Sequence, residues 1–342
     1  MKIWMNTVLA AVVFGGAIAG ARADDKPMVG MSWFKFADER WKIDEAGIKK
    51  GLEAAGGANY VSSDANFSVE KQASDIDGLI TRGAKALIIT SGDAGAMKPI
   101  AEKALKAGIP VIAYDQLIDL PGVFYVSFDA KAVGRALAAG MLKVAPKGNY
   151  ALIKGDDKDP NTLMMLEGFH ETMRPFLDSG AIKIVGEQFI DGWKPEPAKA
   201  AMEQILTANQ NKVDAVMVMN DGMASGVAEA LAEQGLNIPI SGQDGAGGAL
   251  NRIARGQQTF TIWKNSLVEG EAAGRAAMAL IDGKPVEGKK TFTTASGNKL
   301  DSILLPVDSI DKSNLDKPIS SGWTTKAIIC AGVTSDPPAP CK

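Results

Sequence analysis

Residues 108–118 read GIPVIAYDQLI, in which the apolar run Val111–Tyr114 ends abruptly at an acid, Asp115. The run is too short for a helix and follows a Gly and a Pro, so it predicts a buried strand. An acid at the carboxyl end of such a strand stands where open α/β sheets bind ligands; the other reading is an acid that caps the next helix or faces solvent. Residues 237–245, NIPISGQDG, repeat the arrangement, with Ile-Pro again leading to an acid five residues on (115 − 110 = 5; 244 − 239 = 5). The apolar runs beginning at Ala86 and Ala215 lie equally far ahead of the two acids (115 − 86 = 29; 244 − 215 = 29). The same offset of 129 (244 − 115) aligns NYVSSD at 59–64 with QFIDGW at 188–193. The chain thus reads as two similar α/β halves, each presenting polar residues at strand ends.

A length of 342 residues suits two domains, and 46% hydrophobic with 23% charged residues is ordinary for a globular protein. A net charge of −3 gives no general attraction to nucleic acid. One His and two late Cys argue against a typical zinc site. Met1-Lys2, an apolar stretch at 8–19 and Ala21-Arg22-Ala23 before Asp24 fit a cleaved export signal; the alternative is an N-terminal membrane anchor. In an oxidising compartment Cys330 and Cys341 could close a short loop near the C-terminus.

Along the mature chain, strand candidates (28–33, 60–61, 86–89, 111–114, 124–128) alternate with helical periods (40–55, 68–82, 96–107, 131–144). The pattern restarts from Asn149 with strands at 150–153, 182–185, 215–219 and 238–241, and helices at 163–177, 197–208, 222–234 and 249–255. Such alternation predicts βαβ units on parallel sheets, hence two doubly wound domains. Residues 258–263, a small-residue helix at 266–281 and a last strand candidate at 303–306 are left over after two complete halves. They are expected to cross back to the first domain and return, which makes a hinge of several crossings. The expected division is a signal peptide at 1–23, a first lobe of 24–129 plus about 264–295, a second lobe of 130–263 plus about 296–325, and a tail at 326–342.

The strand ends collect Lys35 and Arg40, Asp64 and Asn66, Ser91, then Asp115 and Gln116 in the first half. The second half adds Asp157, Asp159 and Asn161, Trp193, Asn220 and Asp221, Gln243 and Asp244, with Lys264 near the crossing. Carboxylates accept from hydroxyls, Arg and Lys donate, amides do both, and a Trp face suits the C–H side of a sugar ring. The plainer readings are that Asp221 caps its helix, Asp159-Pro160 is a turn, Trp33 and Trp263 pack in the core, and His170 sits idle on a helix face. No G-x-S-x-G elbow, no triad and neither phosphate-loop motif occurs, so no catalytic residue and no cofactor are expected. Paired acids leave a glycosidase conceivable.

Glu39-Arg40-Trp41, Ala113-Tyr114-Asp115, Ser127-Phe128-Asp129, Asp191-Gly192-Trp193, Thr207-Ala208-Asn209, Asn220-Asp221 and Ser241-Gly242-Gln243-Asp244 occur in order over residues 29–323. With them the chain resembles the periplasmic sugar-binding proteins of ABC importers, the ribose/galactose/xylose group, and within it the D-xylose binders. The resemblance implies a type I periplasmic binding protein fold and a monomer that hands a monosaccharide to a membrane permease. It implies that Arg40 and Asp115 of the first lobe, Asp159, Asn161, Trp193, Asn220 and Asp244 of the second, and Lys264 from the hinge side contact the sugar. Trp193 would stack on the ring, opposed by Trp41. Two departures stand out: Gln116 replaces an Arg of the family pattern, and Trp33-Phe34-Lys35-Phe36 replaces an acidic stretch, which brings Lys35 toward the site. A xylose-like pentose is the first expectation, with other pentoses, hexoses and sugar alcohols open. A sensor presenting sugar to a membrane receptor and a sugar-modifying enzyme are the alternatives; a repressor would need a helix-turn-helix where the export signal stands.

Overall fold

The computed structural model describes residues 26–37 and 39–342, with the backbone alone at Glu39; the expected export signal at 1–23 lies outside them. The chain runs β1 (Met28–Trp33), α1 (Glu39–Ala54), β2 (Asn59–Asp64), α2 (Val69–Thr81), β3 (Ala86–Ile89), α3 (Ala94–Lys106), β4 (Val111–Tyr114), β5 (Phe124–Phe128) and α4 (Ala130–Val144). It continues with β6 (Gly148–Lys154), α5 (Pro160–Asp178), β7 (Ile182–Phe189), α6 (Pro195–Ala208), β8 (Ala215–Val218), α7 (Asp221–Glu233), β9 (Gln243–Asp244), α8 (Gly247–Ala254) and β10 (Phe260–Trp263). Last come α9 (Ser266–Ile281), β11 (Lys290–Thr293), β12 (Lys299–Leu305), β13 (Asp308–Asp311), α10 (Asp316–Ser320) and α11 (Lys326–Cys330).

The first sheet has the order β11-β12-β5-β4-β3-β1-β2, parallel except for the β11–β12 hairpin at its edge. Its central strands are buried on both faces, and their side chains alternate accordingly. Ala86 and Ile88, Ile112 and Tyr114, and Phe124 and Val126 pack with Ile48 of α1 and Ala273 of α9. Leu87 and Ile89, Val111 and Ala113, and Tyr125 pack with Ile76 of α2 and Met97 of α3 on the other face. The second sheet runs β7-β6-β8; a bridge from Val216 to Ile240 and the set β9-β10-β13 carry it on. From β2 or β7 inward, the two lobes wind in the same order, as the repeated Ile-Pro stretches predict.

The offset of 129 holds at β3 and β8 (215 − 86 = 129) but not at the second strand of each half, where β2 ends at Asp64 and β7 at Phe189 (189 − 64 = 125). One division is corrected. Residues 299–305, expected in the second lobe, form β12 and pair in parallel with β5 of the first sheet. The return to the second lobe follows, with β13 pairing antiparallel to β10. The tail is not separate either: Ile329 of α11 is buried among Leu250 and Ile253 of α8, and Cys330 is disulfide-bonded to Cys341. The chain passes between sheets after β5, after β10 and after β12, so both lobes hang on three neighbouring connections.

Candidate functional site

All eleven residues expected at the site line one chamber between the lobes: Lys35, Arg40, Trp41, Asp115, Gln116, Asp159, Asn161, Trp193, Asn220, Asp244 and Lys264. Gln243 joins them. The chamber holds about 380 Å³ of empty space, counting the solvent at its open mouth.

The two acids that mark the repeat occupy matching places. Asp115 follows β4 with φ 61° and Asp244 ends β9 with φ 101°, both left-handed conformations that cost a non-glycine residue energy and cluster at functional sites. The surroundings hold Asp115 there: its carbonyl accepts from Ser127 Oγ at 2.8 Å and from Asn161 Nδ2, across the cleft, at 2.9 Å. Trp193 also has positive φ, 60°, in the turn after β7, and its indole lies against Gly155, where a β-carbon would collide with the ring. Pro160 opens α5 and Asp159 caps it, accepting from the Asn161 N–H at 2.9 Å. Asn220 likewise caps α7 through the Met223 N–H at 2.8 Å. The capping expected of Asp221 belongs to its neighbour. Asp221 instead accepts from the N–H groups of Gly245 (2.8 Å) and Ala246 (2.9 Å), Gln258 Nε2 (2.9 Å) and Thr261 Oγ1 (2.9 Å), fixing the turn behind Asp244.

Charge is concentrated at the centre. Arg40 reaches Asp115 at 3.3 Å and, across the cleft, Asp244 at 3.3 Å; Lys264 reaches the same two acids at 3.3 and 3.2 Å. Behind Arg40, away from the chamber, lie Asp44 at 3.2 Å and Glu269 at 3.0 Å, with Tyr114 donating to Asp44. Trp41 stacks beneath the guanidinium, 4.4 Å from its carbon. Burial alone would raise Asp115, but Arg40 and Lys264 outweigh it and hold the carboxyl below its usual range. Burial pulls Arg40 and Lys264 down, yet the surrounding acids keep both above their ordinary values. Burial wins for the rear acids, so Asp44 and Glu269 are pushed up. It also pushes Asp159 up to about 7. Oppositely charged groups thus meet at the centre of the chamber, while burial favours the protonated form of the acids behind Arg40.

Asp44, Glu269 and Tyr114 were missed by sequence reasoning; Gln243, collected among the strand-end residues, was given no ligand contact, yet it lines the chamber. Asp44 follows Arg40 by four residues on one helix face, a spacing that could have flagged it. Trp33 and Trp263 are core residues, 1% and 5% exposed, and His170 is exposed on α5, as the plainer readings had it.

A family profile described as a periplasmic binding protein domain matches residues 29–285. The chain belongs to the periplasmic binding proteins. This binding protein is 36% identical over 299 residues to the D-xylose-binding periplasmic protein of Escherichia coli (strain K12), covering 86% of this chain and 90% of that one. It is 34% identical over 334 residues to the D-xylose-binding periplasmic protein of Haemophilus influenzae, covering 96% and 99%. Among solved structures, an ABC transporter solute binding protein from Clostridium phytofermentans with bound β-D-glucose matches with a TM-score of 0.80 at 26% identity, covering 88% of this chain and 99% of that one. The fold of this binding protein is the type I arrangement of two doubly wound lobes.

Proposed function

We propose that this protein is the solute-binding component of an ABC sugar importer, exported to the periplasm and carrying a monosaccharide to a membrane permease. The observation that carries the reading is the chamber itself: donors and acceptors from both lobes, interleaved around Trp193 and Trp41, in a family whose relatives are named for sugar binding. Asp115, Asp244 and Asn220 would accept from or exchange with hydroxyls, Arg40 and Lys264 would donate to ring or anomeric oxygens, and Trp193 would cover the C–H face. The relatives make the xylose ring configuration the first to test. A micromolar Kd is about −8 kcal/mol, which a few charge-assisted bonds and one stacked Trp reach after the costs of ordering.

Binding without turnover is the proposed activity, and recovery of the sugar chemically unchanged after long incubation tests that part. The site is tested by calorimetry with D-xylose and related monosaccharides. Asp115→Ala and Asp244→Ala are each expected to lower affinity at least about 100-fold, the scale of a lost buried charge partner. Undiminished affinity in both variants would remove the chamber from the function.

A further inference from the structure

A second chamber adjoins the first, sharing Gln116, Asp159 and Trp193 as part of a common wall. It continues past them between Phe34, Phe67 and Ser91 of the first lobe and Asp156 and Gly192 of the second. Its empty space is about 370 Å³. Lys35 lines both chambers, and its Nζ donates across the cleft to the Gly192 carbonyl at 3.2 Å. Phe34 and Phe67 meet edge to face, with centroids 5.8 Å apart, and give an apolar wall. Ser91, 2% exposed, has no hydrogen-bond partner for its hydroxyl, and Gln116 Oε1 is likewise shielded from solvent and unpartnered. Leaving such buried polar atoms unpaired is costly, because they have given up water without gaining a partner. They are placed to meet a hydroxyl that arrives with the ligand, beside aromatic carbon that would receive a methylene.

We propose that this annex is a subsite for the exocyclic hydroxymethyl arm of a hexopyranose, so that the protein prefers a hexose to the pentose with the same ring configuration. The inference rests on the sugar-binding reading of the main chamber. A pentose would fill the ring site but leave Ser91 and Gln116 without partners; sites built to hydrogen-bond a hydroxyl discriminate strongly against ligands that lack it.

The test is calorimetry on the mature chain with three matched pairs: D-glucose and D-xylose, D-galactose and L-arabinose, D-allose and D-ribose. The members of each pair differ only in the hydroxymethyl arm. The best-bound hexose is expected to exceed its pentose by about tenfold or more. Ser91→Ala should cut that preference several-fold, and Ser91→Leu, which fills the annex, should erase it, both leaving pentose affinity in place. Binding of the pentose as tightly as the hexose in every pair overturns the annex while leaving the sugar site standing. So does an equal loss of both sugars in Ser91→Leu, or, should that variant fail to fold, an unchanged preference in Ser91→Ala. Absence of binding for all six sugars overturns the sugar reading and the annex with it.

Discussion

Asp159 combines two demands that pull against each other. It caps α5, which favours an oxygen acceptor at that place, and it is 5% exposed in a chamber that already holds Asp115. Burial first, and the neighbouring Asp115 and Asp156 after it, push its carboxyl up to about 7 despite the Asn161 N–H and the nearby Lys264. An unfolded Asp titrates near 3.9. Between about pH 4 and pH 7 the folded chain therefore keeps a proton that the unfolded chain has lost, so this group makes stability fall as pH rises through that window and has no further effect above it. Asn caps a helix as well as Asp does. Asp159→Asn should then flatten the pH profile of unfolding free energy between pH 4 and pH 7, with a relative gain on the order of 2–4 kcal/mol by pH 8. Denaturant titrations at several pH values read this directly, and parallel profiles for the two proteins would contradict it. The residue's place in the chamber was visible as a strand-end acid, whereas its titration was not, because burial depends on the opposite lobe.

Glycine sets how closely the helices approach. In α1 a β-carbon on Gly47 or Gly51 would strike the backbone of Leu267 or Glu271 in α9, and one on Gly270 or Gly274 would strike Asp44 or Ile48 in return. The second lobe does the same where Gly134 of α4 meets Met165 of α5 and Gly168 of α5 meets Lys131 of α4. In the first lobe this near-backbone packing brings Glu269 from α9 to within 3.0 Å of Arg40 in the first turn of α1. It explains why the rear acids escaped sequence reasoning: Asp44 and Glu269 stand on helices whose polar faces read as solvated, and only the glycine contact buries them. The strands and most helices were legible because their periodicities are local. β12 was placed in the wrong lobe because which sheet a leftover strand joins is decided by distant partners. Gly→Ala inside a helix ordinarily stabilises by about 0.5–1 kcal/mol. Gly78→Ala on α2, where nothing lies within 4 Å, should show that gain. Gly270→Ala should reverse the sign and cost about 1–3 kcal/mol through overpacking, with weaker sugar binding as Glu269 and Arg40 shift apart. Equal effects of the two substitutions in urea titrations would dismiss the packing argument.

Among the described residues, no buried apolar cluster mixes the two lobes: two clusters lie within the first, and two within the second. The lobes meet at the cleft through polar contacts, Arg40 with Asp244, Asn161 with the Asp115 carbonyl and Lys35 with the Gly192 carbonyl. Interfaces of that kind leave relative motion as the default expectation. Three connections side by side, after β5, β10 and β12, let each lobe move as a body without breaking either sheet. A ligand held from both sides binds the closed arrangement better than the open one, and that difference is what moves the population. Asp244 is the second-lobe acid that meets both central cations, so it couples the lobes at the proposed sugar site. Small-angle scattering should show the radius of gyration of the wild type falling as sugar is titrated to saturation. Asp244→Ala should hold the larger value at the same sugar concentration, with an unchanged circular dichroism spectrum. A radius that stays constant while calorimetry records saturable binding to the wild type would show that this molecule takes up its ligand without closing.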